Sequence, residues 1–177
     1  MRKLLGFIVL LIALTGILSF EKNDKEKINW ITIAQLNELY AKNPKPVLID
    51  IYTDWCGWCK EMDRTTYKHD KLANYINEKY YAVKFNAEQR EQISFNNKIY
   101  KYNTQYRTNE LALYLTGGQL SYPTTVFMSG VNAQPAPLPG YMRPKQMEAP
   151  LKFFGEKADK TETFVAFNKK MQRMVTM

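Results

Sequence analysis

Val47-Leu48-Ile49-Asp50-Ile51-Tyr52-Thr53-Asp54-Trp55-Cys56-Gly57-Trp58-Cys59-Lys60 passes from an apolar run straight into a cysteine pair. The run from Val47 to Tyr52 is β-branched and apolar, broken only by Asp50, the pattern of a strand buried on both faces. The cysteines follow where such a strand hands over to a helix. At a helix N-terminus the free amides and the helix dipole favour an anion, so a thiol at Cys56 is activated without a base beside it. Cys59, three residues on, falls under Cys56 on the next turn, within disulfide reach. Attack by Cys56 on a substrate disulfide would give a mixed disulfide, which Cys59 would resolve.

These are the chain's two cysteines. A bridge across so short a loop removes little unfolded-state entropy, so the pair reads as chemistry rather than as a staple. Structural zinc needs four ligands, which two Cys and one His cannot supply within one chain. His69 reads as a surface histidine. Attached haem needs His directly after the second Cys, where this chain has Lys60. A soft metal shared between chains by two thiolates remains an alternative, as does a peptide carrier without turnover.

Working outward, Thr32 is placed to cap a helix carrying Ile33, Leu36, Leu39 and Tyr40, which Pro44 and Pro46 end. Asp70 opens another helix, and Tyr81 to Asn86 forms a second strand. Residues 88–109 are polar and rich in Asn, Gln and Tyr. Within them Asn96-Asn97 is expected to turn a hairpin between Ile93–Phe95 and Ile99–Tyr102. A helix follows from Glu110 to Leu115, closed by Gly117-Gly118. Pro123 then opens a strand, a Pro-rich strand reaches Gly140, and helix resumes at Arg143. Pro150 is expected to kink or split that helix. Asp159 with Glu162 resembles a capping box for a last helix through Phe164, Phe167 and Met171. The order is that of an α/β sandwich around a mixed sheet.

The ends and the charge set the context. Arg2 and Lys3 precede an uncharged apolar run from Leu4 to Phe20, so residues 1–20 read as a signal peptide or membrane anchor. Residues 21–29 read as a charged tether, and 30–177 as the folded domain, with an insertion near 88–109 and a helical extension near 159–175. The 177 residues suit one domain, and 45% apolar against 24% charged residues is a globular balance. The net charge of +8 is spread along the chain rather than blocked, which does not indicate nucleic-acid binding.

The segment from Val47 to Lys60 resembles the active-site segment of the thioredoxin family, and Tyr122-Pro123-Thr124-Thr125-Val126-Phe127 resembles its cis-proline strand. In wording both are similar to exported thioredoxin-like proteins related to the C-terminal domain of thiol-disulfide interchange proteins. The likeness covers roughly residues 30 to 155. It implies a three-layer α/β/α sandwich and a protein disulfide oxidoreductase, with an insertion before the cis-proline strand. Cys56 would be the exposed nucleophile and Cys59 the buried resolving thiol. Asp50 would be the buried carboxylate below them, exchanging a proton with Cys59, with Lys84 near it. Pro123 would be a cis proline beside the disulfide, and Tyr122 would offer backbone to a substrate strand. Trp55 matches the family's aromatic before the nucleophile and, with Trp58, would contact substrate. Trp58 departs from the family, standing where thioredoxins carry Pro. Implied partners are protein disulfide substrates and a membrane or soluble electron donor, outside the cytoplasm. No organic cofactor and no metal is implied, since the electrons reside in the cysteines. Tyr100, Tyr102 and Tyr106 of the insertion read as a decorated sheet edge, with a partner-binding face as the alternative.

Overall fold

The computed structural model describes residues 27–175; the expected signal or anchor and most of the tether lie outside them. β1 (Trp30–Ile31) leads into α1 (Ile33–Lys42). Thr32 caps α1 by accepting from Gln35 N–H, while the Gln35 side chain accepts from Thr32 N–H, a reciprocal capping box. β2 (Val47–Tyr52) follows, then α2 (Gly57–Thr65), α3 (Asp70–Lys79) and β3 (Tyr81–Asn86). Next come β4 (Ile93–Phe95), β5 (Lys98–Tyr100), β6 (Tyr102–Asn103), β7 (Thr108–Asn109) and α4 (Glu110–Leu115). The chain continues through β8 (Thr124–Met128), β9 (Ala136–Pro139), α5 (Pro144–Gly155) and α6 (Phe164–Val175).

The main sheet has the order β1-β3-β2-β8-β9. β1, β3 and β2 run parallel, whereas β8 and β9 are antiparallel to their neighbours. β2 is therefore central, as its unbroken apolar run requires. Alternation along β2 splits the core in two. Val47, Ile49 and Ile51 pack with Ile33 and Leu36 of α1 and Leu111 and Leu115 of α4. Leu48 faces the other way, packing with Met62 of α2, Ile76 of α3 and Met147 and Leu151 of α5. Helices thus cover both faces, the expected three layers. Asp50 has the parity of Leu48, so it points toward α2 from the middle of the sheet.

Residues 88–109 do not decorate the sheet edge. They form two separate ribbons, β4–β5 and β6–β7. Asn96 and Asn97 do turn the first, at φ 49° and 59°, the positive values a two-residue hairpin turn of this hand requires. Its second strand stops at Tyr100, and Tyr102 pairs with Asn109 in the other ribbon. Ile93, Phe95 and Tyr100 are buried in the α1–α4 core, and Asn37 on α1 donates to the Ser94 carbonyl at 2.8 Å. Apolar burial under α1, rather than strand pairing, holds this segment.

Two further expectations meet resistance. α5 runs through Pro150 undivided, so the split allowed for there does not occur. Proline inside a helix costs about 3 kcal/mol, but Met147, Pro150, Leu151 and Phe153 are all buried, and that burial outweighs it. Asp159 does not cap the last helix. It sits in a 3-10 turn (Ala158–Lys160), while Thr163 Oγ1 accepts from Ala166 N–H and Glu162 pairs with Lys170. Glycines 117 and 118, at φ 63° and 83°, close α4 as expected. Among the described residues no helix is long and apolar enough to cross a membrane.

Candidate active site

Cys56 is the N-cap of α2, and its Sγ accepts from Cys59 N–H at 3.0 Å. The sequence dictates this placement: β2 ends at Tyr52, Thr53 accepts from Cys56 N–H at 3.2 Å, and the chain turns into the helix. The sulfurs are joined in a disulfide, with Cα atoms 5.3 Å apart. A thiolate released at Cys56 would inherit the Cys59 amide as a hydrogen-bond donor, besides the positive end of the helix.

The expected contrast in exposure between the two cysteines is absent. Cys56 is 4% exposed and Cys59 3%, because the bridge draws both sulfurs against the helix start. What stands out into solvent is the pair of indoles beside them, Trp55 at 67% and Trp58 at 63%. Trp55 Nε1–H donates to Glu88 Oε1 at 3.0 Å, and its ring meets Tyr122 edge-on at 5.9 Å. Trp58 lies 5.5 Å from the ring of Tyr141. The Tyr122–Pro123 peptide bond is cis. Gly140 N–H donates to the Pro123 carbonyl at 2.7 Å, tying β9 to that residue.

Beneath β2's midpoint lies a charged cluster. Asp50 is 1% exposed and accepts from Lys84 Nζ at 2.5 Å and from the Tyr67 hydroxyl at 3.3 Å. The Tyr67 hydroxyl also lies 3.1 Å from Thr125 Oγ1 on β8. Asp63, one turn past Cys59 on α2, forms a second ion pair with Lys84. The rings of Trp30, Tyr52 and Tyr67 lie 5.0 to 5.4 Å from the ammonium. Burial holds the Asp50 carboxyl above the usual range despite Lys84. Burial works against the Lys84 ammonium, yet Asp50 and Asp63 outweigh it and hold Lys84 above its ordinary value. Burial, with Asp50 adding, lifts Tyr67 well above the usual phenol value.

The structure thus brings Asp50 and Lys84 together, as the resemblance implies. Asp63, Tyr67, Glu88 and Tyr141 escaped the sequence reading. Asp63 alone carried a signal, a carboxylate four residues after Cys59 on the same helix. His69 is exposed at the start of α3. Among the described residues no three His, Cys, Asp or Glu side chains cluster as a metal site requires.

Residues 34–155 match the model of the thioredoxin-like domain. The chain belongs to that family. A 44-residue stretch of the chain is 43% identical to the thiol:disulfide interchange protein DsbD of Pectobacterium atrosepticum, a match covering 25% of this chain and 8% of that protein. The DsbD of Yersinia pestis is 38% identical over 56 residues, covering 29% and 9%. The chain therefore spans under a tenth of the curated relatives it matches. Among solved structures, a thioredoxin-fold protein from Helicobacter pylori superposes with TM-score 0.54 at 21% identity, over 87% of this chain and 89% of that one. A thioredoxin from Thermus thermophilus gives TM-score 0.52 at 14% identity, over 71% and 85%. These likenesses show the fold. A bonded Cys-x-x-Cys pair at the mouth of α2 in a thioredoxin-like domain supports thiol-disulfide exchange.

Proposed function

We propose that this thioredoxin-like protein reduces, or relays electrons to, disulfides of exported proteins. The observation that carries the reading is the Cys56–Cys59 disulfide at the N-cap of α2, with Cys56 Sγ already accepting the Cys59 amide. In the reduced form, Cys56 thiolate attacks one sulfur of a client disulfide. The S–S bond breaks, one client sulfur leaves as thiolate, and a mixed disulfide forms. Cys59 thiolate then attacks Cys56 Sγ, releasing the second client thiolate and closing the intramolecular bridge. Two electrons have passed to the client, and a membrane or soluble dithiol donor returns them by the same steps in reverse.

Asp50 is assigned the proton on Cys59, which must leave before that sulfur can attack. A carboxyl held above its usual range accepts and returns a proton near neutral pH more readily than an ordinary one. Pro123 and Tyr122 are assigned to the client strand, with Trp55 and Trp58 as contacts. The apolar run from Leu4 to Phe20 supports export, with the domain periplasmic or tethered by residues 21–29 to the outer face of the cytoplasmic membrane. The deciding experiment equilibrates the protein with glutathione redox buffers and measures the fraction oxidised. A potential near or below about −230 mV, in the range of reducing thioredoxins and glutaredoxins, supports reduction. One near about −120 mV makes it an oxidant and overturns the direction.

A further inference from the structure

Trp58 is largely exposed but not loosely placed. Its ring lies 5.5 Å from Tyr141, tilted by 37°. Tyr141 belongs to the loop between β9 and α5, and that loop is pinned at three successive residues. Gly140 N–H donates to the Pro123 carbonyl, and the Tyr141 hydroxyl lies 3.0 Å from Thr65 Oγ1. Thr66 Oγ1 donates to the Met142 carbonyl at 2.5 Å. Gly140 turns at φ 93°, a conformation that a side chain would strain. The Tyr141 ring is thereby held against α2, in a loop tied by Gly140 to Pro123, before any partner arrives.

The two rings form an aromatic wall. Arg64, on the same helix as Trp58, is already paired with Glu61 at 2.8 Å. Neither ring offers a charge, so what the pair gives a partner is aromatic surface and exclusion of water. Because the two rings are pre-positioned, little ordering entropy is lost on contact.

We propose that Tyr141, acting with Trp58, is a specificity-determining residue. It selects client disulfides whose cysteine is flanked by an aromatic or long aliphatic side chain. The assignment rests on the exchange reaction proposed above. It adds a residue outside both motifs and a class of client sequence.

The test compares reduced wild type, Tyr141→Ala and Tyr141→Phe on hydroxyethyl disulfide and on two disulfide peptides differing only in -Phe-Cys- against -Ser-Cys-. For wild type, kcat/KM should favour the Phe peptide about tenfold or more, the discrimination one apolar group supplies. Tyr141→Ala should bring the two peptides close to equal, through KM rather than kcat, while Tyr141→Phe, which keeps the ring, should retain most of the preference. Should Tyr141→Ala fail to fold, Trp58→Ala, an exposed change, must show the same loss. A wild type inert toward all three disulfides overturns the exchange reading and this one with it. Turnover of all three substrates with no peptide preference, or with a preference unaltered in the variants, overturns the specificity assignment alone.

Discussion

Asp50 and Lys84 stand opposite each other in the parallel β2–β3 pair, joined at 2.5 Å, yet the carboxyl still lies above its ordinary range. Burial wins because Asp50 sits mid-strand under two helical layers, while Lys84 divides its charge between Asp50 and Asp63. A carboxyl raised in the folded state adds stability below its unfolded value, and loses it as pH rises through the folded value. Asp50→Asn has no such dependence. Its stability relative to wild type should therefore grow with pH, by up to about 1.4 kcal/mol per pH unit between the two values. Urea midpoints of the oxidised proteins from pH 4 to 8 measure this; a stability of Asp50→Asn relative to wild type that falls with rising pH contradicts the raised carboxyl.

Lys84→Met should be costly where Asp50→Asn is not. It leaves a buried carboxylate with only the Tyr67 hydroxyl, and breaking a buried pair from one side costs about 3–5 kcal/mol. The loss should shrink as pH falls and Asp50 takes up a proton. Asp63→Asn, at the solvent end of the same cluster, should cost under about 1 kcal/mol. Denaturant titrations of both variants at two pH values separate these outcomes.

The turn residues of the first ribbon offer an independent check. Asn97 sits at φ 59°, where a β-branched side chain collides with its own backbone. Asn97→Val should destabilise by about 1–2 kcal/mol, whereas Asn97→Gly should be neutral or gain a few tenths, since Asn-Gly suits this turn best. Because Ile93, Phe95 and Tyr100 are core residues, the effect should register in global unfolding and not only in local amide exchange.

How far these features could be read beforehand depends on how local their causes are. β2 and the Asn96-Asn97 turn were legible, since an unbroken apolar run and two αL-tolerant residues act through their own backbone. The Thr32 cap was legible for the same reason. Tyr67 and Tyr141 were not, because nothing nearby in sequence says which way their side chains point. Tyr67 reaches Asp50 and Thr125, 17 and 58 residues away, and Tyr141 reaches Thr65 across 76. Pro150 shows a local rule overridden: its helix-breaking cost is real, but the face it shares with Met147 and Leu151 is core. At the last helix two good caps competed, and Thr163, not Asp159, stood directly before the first turn.

The exchange chemistry makes a last prediction, in which the two cysteines part company although both are nearly sealed in the oxidised protein. Cys56 Sγ occupies the cap and faces the amide of Cys59, so it is the sulfur whose anion the helix stabilises. Reduced Cys59→Ser should accordingly attack a disulfide-bonded client peptide and stop there, since no thiol remains to resolve the adduct. Cys56→Ser, left with the thiol one turn deeper, should form adducts at least about tenfold more slowly, because its sulfur lacks the cap amide that favours the thiolate. Intact-mass spectra taken under non-reducing conditions count the adducts directly. Equal trapping by both variants, or faster trapping by Cys56→Ser, reverses the assignment of nucleophile and resolving thiol.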